Sequence, residues 1–222
     1  MISRYIIALG ILGFATSVAA QDSFGTAPLE NSAQRNQEKT RNDSIPKMDQ
    51  QSTPQQKNST GDQLTQMERQ DYGVQPTSQL HAGAMHGPTP ASIPGGQIIT
   101  TKGLTELMQS GQTPFVLFDI LGGEEIIPGA IAAVPASQAG SFNDQTQQEF
   151  SGFLQQMSQG NKQTPLVFYC LSTKCWMSYN AALRAINMGY TNVLWYRGGI
   201  EAWKMAGNKV QSVYQQGGGQ PY

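Results

Sequence analysis

The chain has 222 residues, of which 13% are charged, and a formal net charge of −1 at pH 7. That balance excludes a basic nucleic-acid binder and an acidic tail as the main feature. With 24 Gly, 12 Pro and 2 Cys, it is neither a disulfide-stapled miniprotein nor a four-cysteine zinc site built by one chain.

Arg4, the apolar run Tyr5 to Phe14 and the small residues Ser17-Val18-Ala19-Ala20 form the pattern of a secretory signal peptide over residues 1–20, cleaved after Ala20. No apolar run reaches the roughly 18 residues of a membrane span, so none is expected after cleavage. No lipobox cysteine follows the signal. The mature protein is therefore expected in the periplasm, where a thiol is oxidised or actively kept reduced.

Residues 21–93 read as a disordered linker rich in Gln, Asn, Ser and Pro. From Gln21 to Pro90 only six residues are Leu, Ile, Val or Phe. Such a segment cannot bury enough apolar surface to offset its ordering entropy. Met67 to Leu80 could form at most a marginal helical turn, and no internal repeat is present. His81, Met85 and His86 are of copper-ligand type, but no third strong ligand lies nearby, and a chance cluster in a His-poor linker is the plainer reading.

Periodicity returns over 94–214. Ile98-Ile99-Thr100 reads as a short strand, and Thr101 as the cap of a helix carrying Leu104, Leu107 and Met108 and stopped by Gly111. Phe115 to Phe118 is a continuous apolar run, as a buried parallel strand requires, and ends at Asp119. Ile131 to Val134 is a second short run, closed by Pro135. Asp144 and Gln147 form a capping box before a helix with Phe150, Phe153, Leu154 and Met157 on one stripe, ended by Gly160. Leu166 to Tyr169 is the next buried strand, with Cys170 at its carboxyl end. A helix follows from about Cys175 to Met188, with Trp176, Tyr179, Leu183 and Ile186 facing inward. Val193 to Tyr196 is a further strand, and Gly198-Gly199 turns into a last helix with Ile200, Ala202 and Trp203. Strands alternating with helices imply an α/β fold with a mostly parallel central sheet flanked by helices. Residues 215–222 read as a flexible tail.

In such sheets chemistry gathers beyond the carboxyl ends of the strands. Cys170 sits there, in the loop Cys170-Leu171-Ser172-Thr173-Lys174-Cys175 that holds both cysteines of the chain. Inward-turned backbone N–H groups and the following helix dipole favour a thiolate or a bound anion, and Lys174 adds a charge. A buried, inert cysteine at a strand end is the competing reading. Two nearby thiols in an exported protein either bridge or work as a pair. Trp176 adjoins the loop and could cover it, although a core role suits all three tryptophans. Asp119 either helps position the loop or caps the next turn. Ser172 and Thr173 could donate hydrogen bonds to bound sulfur. Arg184 and Arg197 read as solvated charges. No His lies in the expected folded domain, 94–214, which excludes Cys–His nucleophilic catalysis.

Four pieces resemble the rhodanese family: Val116-Leu117-Phe118-Asp119 with Ile127-Pro128-Gly129-Ala130-Ile131, Val167-Phe168-Tyr169-Cys170, Gly189-Tyr190-Thr191-Asn192-Val193, and Gly198-Gly199-Ile200-Glu201-Ala202-Trp203. The resemblance implies a rhodanese-like fold over roughly residues 97–207 and a sulfurtransferase in which Cys170 carries sulfur as a persulfide. It makes Leu171, Ser172, Thr173, Lys174, Trp176 and Asp119 loop or substrate-binding residues, with Cys175 as a resolving or pairing thiol. The substrate would be a small sulfur-containing molecule or a thiol, with no metal, no cofactor and no nucleic acid. The chain departs from the family pattern: Thr173 stands where Gly is usual, Cys175 where Arg is usual, and Asp119-Ile120-Leu121 where Asp-x-Arg is usual. A phosphatase relative would need a longer loop ending in Arg. Cys175-Trp176-Met177-Ser178, with the upstream Cys and the export signal, also resembles bacterial periplasmic rhodanese-like proteins named for a Cys–Cys-Trp motif. That group is associated with pyrroloquinoline quinone (PQQ)-dependent alcohol catabolism. This implies the alternative of a dithiol redox or partner-binding accessory protein, with a periplasmic quinoprotein system as its partner.

Overall fold

The computed structural model describes residues 60–213. The expected signal peptide, residues 21–59 of the expected linker, residue 214 and the expected tail lie outside them. In chain order the strands are β1 (Gln97–Ile98), β2 (Val116–Asp119), β3 (Glu125–Ile126), β4 (Ile131–Ala132), β5 (Leu166–Tyr169), β6 (Val193–Tyr196) and β7 (Gln211–Ser212). The helices are α1 (Thr60–Arg69), α2 (Thr101–Ser110), α3 (Gln145–Met157), α4 (Met177–Asn187) and α5 (Gly199–Met205), with a 3-10 turn at Val134–Ser137.

Five strands form one parallel sheet in the order β1-β6-β5-β2-β4. β3 and β7 make a separate antiparallel pair. The apolar runs become strands because the sheet is covered on both sides, so every position needs an apolar residue. Alternate side chains feed two cores. Phe118, Phe168 and Trp195 stand in register and pack with Phe150, Leu154, Tyr179 and Leu183 of α3 and α4. Leu117, Val167, Tyr169 and Tyr196 face the other way, onto Leu64, Leu104, Ile200 and Trp203 of α1, α2 and α5. Each such side chain contributes about 1.5–3 kcal/mol on burial.

The helix signals act with local adjustments. Thr100, one residue before the expected cap, accepts from the N–H of Gly103 at 3.3 Å. Thr101 instead gives its N–H and its hydroxyl to Glu68 Oε1, at 2.7 and 2.6 Å. Gly111 ends α2 at φ 58°, a left-handed conformation that suits glycine. Asp144 caps α3 by accepting from Gln147 N–H at 2.7 Å. The Gln147 amide does not complete the box; it donates to Arg184 O and Asn187 Oδ1. The helix expected from Cys175 begins at Met177, because Cys175 is held in a bridge to His86 and Trp176 gives its N–H to Met85 O.

Residues 60–93 differ from the expected linker. α1 buries Leu64 and Glu68 and lends Leu64 to the second core. The helical turn considered over Met67–Leu80 does not extend beyond Arg69, where α1 ends. Residues 70–92 then run as a non-helical strap over the domain, with Val74, Leu80 and Met85 packed against the first core, and Ile93 is buried in it. A few apolar anchors suffice because side chains of the domain satisfy the strap's backbone. Tyr179 Oη accepts from Thr77 N–H at 3.0 Å and donates to Thr77 O at 2.8 Å. The Asn180 amide accepts from His81 N–H and donates to His81 O, at 2.8 and 2.9 Å.

Candidate functional site

β5 lies mid-sheet and ends at Tyr169, so the loop Cys170–Cys175 emerges at the carboxyl edge between β5 and α4. Cys170 and Cys175 are joined by a disulfide across the loop, with Cα atoms 6.3 Å apart. Both are buried, at 1% and 0% exposure. The near side of the loop is held by the start of α5: Ile200 and Glu201 donate their N–H groups to Cys170 O and Leu171 O, both at 3.0 Å. This approach requires glycine at 199. Its φ is 65°, and a Cβ there would come within 2.5 Å of the Leu171 carbonyl.

The far side is held by the strap. Gly87 N–H donates to Lys174 O and Trp176 N–H to Met85 O, each at 2.8 Å. These two bonds flank an antiparallel bridge that sets His86 opposite Cys175. Thr89 donates its hydroxyl to Thr173 O at 2.7 Å, and Tyr72 Oη and Thr173 Oγ1 share a hydrogen bond of 2.9 Å.

Arg197, just beyond β6, secures the strap from beneath. It is 1% exposed, against the expectation of a solvated charge. Its guanidinium donates to Thr89 Oγ1, Thr89 O, Glu68 O and Gln70 O, at 3.0, 2.9, 2.8 and 2.8 Å. The Tyr72 ring lies 5.1 Å from the guanidinium carbon. Burial lowers the pKa of Arg197 from its ordinary value, opposed by Tyr72 and Asp71. Arg184 corrects the same expectation. It is fully buried and pairs with Asp144 at 2.9 Å. In both cases backbone carbonyls and polar side chains replace water around the charge.

The loop residues expected at the site are together, in a closed arrangement. Thr173 is buried, Leu171 and Ser172 are half-buried, and Lys174 is exposed. Trp176 is a buried core residue, edge-on to Tyr179 at 5.1 Å and stacked under the His81 ring at 4.1 Å. Asp119 acts as the cap of its own turn, accepting from Leu121 and Gly122 N–H at 2.9 and 3.3 Å. Burial raises its pKa, and those two bonds lower it in part. The ring nitrogen Nε2 of His81 is hydrogen-bonded to Ala84 O. Among the described residues no group of three or more His, Cys, Asp or Glu could hold a metal ion. Among them, too, no helix is long and apolar enough to cross a membrane.

Sequence reasoning misses Tyr72 and Thr89, and reads His86 only as part of a chance His/Met cluster and Arg197 as a solvated charge. Arg197 follows a buried strand directly, a position that signals the functional edge. The strap residues carry no such signal, because their role comes from pairing far along the chain.

The family model described as Rhodanese-like domain matches residues 100–206. No curated protein matches the chain. The fold is similar to the solution structure of a rhodanese-like domain from Anabaena, at 17% identity and a TM-score of 0.40, covering 56% of this chain and 85% of that one. It is also similar to a thiosulfate sulfurtransferase from Pseudomonas aeruginosa, at 18% identity and a TM-score of 0.40, covering 52% of this chain and 20% of that one. A third similar structure is Ygr203w, described as a yeast protein tyrosine phosphatase of the rhodanese family, at 19% identity and a TM-score of 0.39, covering 57% and 92%. The narrower Cys–Cys-Trp group is not among these matches. Residues 100–206 match the rhodanese-like domain model and adopt a rhodanese-like α/β fold, and the strand-end loop of that fold is closed here by a disulfide.

Proposed function

We propose that this is an exported rhodanese-like thiol protein whose working site is the Cys170–Cys175 couple. In the reduced form Cys170 accepts a sulfane sulfur as a persulfide, and Cys175 resolves it. The Cys175 sulfur bonds to Cys170 Sγ, the bond from Cys170 to the sulfane sulfur breaks, and hydrosulfide leaves. The proton lost by Cys175 is the one the departing sulfur takes up. The product is the Cys170–Cys175 disulfide, and a dithiol reductant must return it to the starting state. The observation that carries this reading is the disulfide itself, which puts Cys175 within bonding reach of the sulfur atom that would bear the persulfide.

The test is mass mapping of reduced Cys175→Ser and Cys170→Ser proteins after treatment with glutathione persulfide. The reading expects a one-sulfur adduct on Cys170 in Cys175→Ser, and sulfide release with disulfide closure in the parent protein. Absence of both refutes it.

One observation favours a second reading. Lys174 is the single charged residue of the loop, and the Arg197 guanidinium is committed to the strap. Little remains to hold an anionic donor such as thiosulfate. A dithiol redox or partner-binding accessory of periplasmic PQQ-dependent alcohol oxidation would use the same couple without the adduct. It expects a reversible disulfide, no persulfide, and electron exchange with a periplasmic protein partner.

A further inference from the structure

Resting on the proposed couple, we infer that His86 is the proton donor and acceptor for the Cys175 sulfur. The sequence placed no histidine in the folded domain, but the strap brings one to the disulfide. His86 and Cys175 are directly opposed in an antiparallel bridge flanked by the Gly87–Lys174 and Trp176–Met85 bonds. In such a non-hydrogen-bonded pair the two side chains leave the ribbon on the same face, with Cβ atoms about 5 Å apart. His86 is exposed while Cys175 is fully buried, so the bridge pairs a solvent-facing histidine with a buried sulfur. The neighbouring pair lies on the opposite face, where Trp176 stacks with His81.

The chemistry needs a proton carrier at this place. When an incoming thiolate attacks Cys170 Sγ, the disulfide bond breaks and Cys175 leaves as a buried thiolate, whose charge must be neutralised. Protonated His86 supplies that proton and becomes neutral. In the closing direction neutral His86 takes the Cys175 proton as the new S–S bond forms, and passes it to the departing sulfur, which leaves as hydrosulfide. Imidazole is the side chain suited to both directions near neutral pH.

The other titratable or charged groups on the packed elements include Lys174 in the loop, Tyr179 and Arg184 of α4, Glu201 and Lys204 of α5, Arg197 beyond β6, and Asp71, Tyr72 and His81 on the strap; Arg184 is paired with Asp144 and Lys204 with Glu125. Arg197, Tyr72 and Tyr179 are engaged in the bonds described above, and Asp71 accepts from Gly73 N–H. His81 lies against Trp176 on the far face. Lys174 stands beside the bridge, opposite Gly87.

The experiment measures the rate at which a small dithiol reduces the disulfide of the full mature protein, across pH, for the parent, His86→Gln, and His81→Gln as the control on the same strap. The expected result is a rate lowered on the order of 10²-fold in His86→Gln, with the near-neutral limb of the pH profile lost. His81→Gln should retain that limb. Added imidazole should restore part of the rate in His86→Ala, which a merely structural role would not permit. An unchanged profile in His86→Gln, or no rescue in His86→Ala, overturns the inference. Persulfide loading of Cys175→Ser is scored separately. Its failure overturns the sulfur-transfer reading, while the reduction profile still decides the role of His86.

Discussion

Replacing Arg197 with Met separates a strap held by polar bonds from one held by apolar packing. The substitution keeps the aliphatic stem and deletes four donor contacts. Three of them are buried, and two of those go to carbonyls, Glu68 O and Thr89 O. Each buried carbonyl left without a donor costs about 1–3 kcal/mol, so the pair costs about 2–6 kcal/mol. The carbonyl of exposed Gln70 can rehydrate and adds little. The guanidinium no longer has to be desolvated, which offsets part of the loss and leaves an expected destabilisation of about 2–4 kcal/mol. Urea unfolding of the full chain reads that number, and amide exchange shows where it falls. Protection should drop over residues 70–90 while the amides of β2, β5 and β6 keep theirs. The disulfide should also be reduced faster, because the bonds from Gly87 and Thr89 to the loop would open with the strap. A change below about 0.5 kcal/mol with strap amides still protected would refute the reasoning, since that is the range of an ordinary surface substitution.

Gly199→Ala should cost about 2 kcal/mol or more, because its φ of 65° is left-handed and the new Cβ meets the carbonyls of Leu171 and Cys170. Urea unfolding with a thiol count checks this, and wild-type stability would contradict it. Glu68→Gln tests the buried carboxyl of α1, whose pKa is raised by burial and partly lowered by its bonds from Thr101. A raised folded-state pKa means the ionised form opposes folding, a cost absent in acid and present once pH exceeds the folded value. The variant should therefore gain on the parent as pH rises and lose its advantage in acid, as paired denaturation curves across pH would show; a gap independent of pH would count against it.

Much of the fold is written locally. The runs Val116–Phe118, Leu166–Tyr169 and Val193–Tyr196 declare buried strands because a sheet covered on both faces needs apolar residues at every position. Asp144 and Gly111 mark helix ends through bonds and backbone angles that involve only a few neighbouring residues. The cysteine loop is legible for the same reason, since a strand followed at once by a helix fixes its place at the sheet edge. What the sequence could not disclose is held by distant pairing. Arg197 bonds to groups 108 and 129 residues away, and His81 to Asn180, 99 residues away. Composition counts apolar residues, so a polar stretch such as 70–92 looks unable to order itself. Only the assembled domain presents the buried Arg197, Tyr179 and Asn180 groups that satisfy its backbone. The sequence thus determined the strands, the caps and the site of the two cysteines. Tertiary structure decided that α1 and the strap complete the domain, and that a histidine faces Cys175, because those contacts exist only once remote segments are brought side by side.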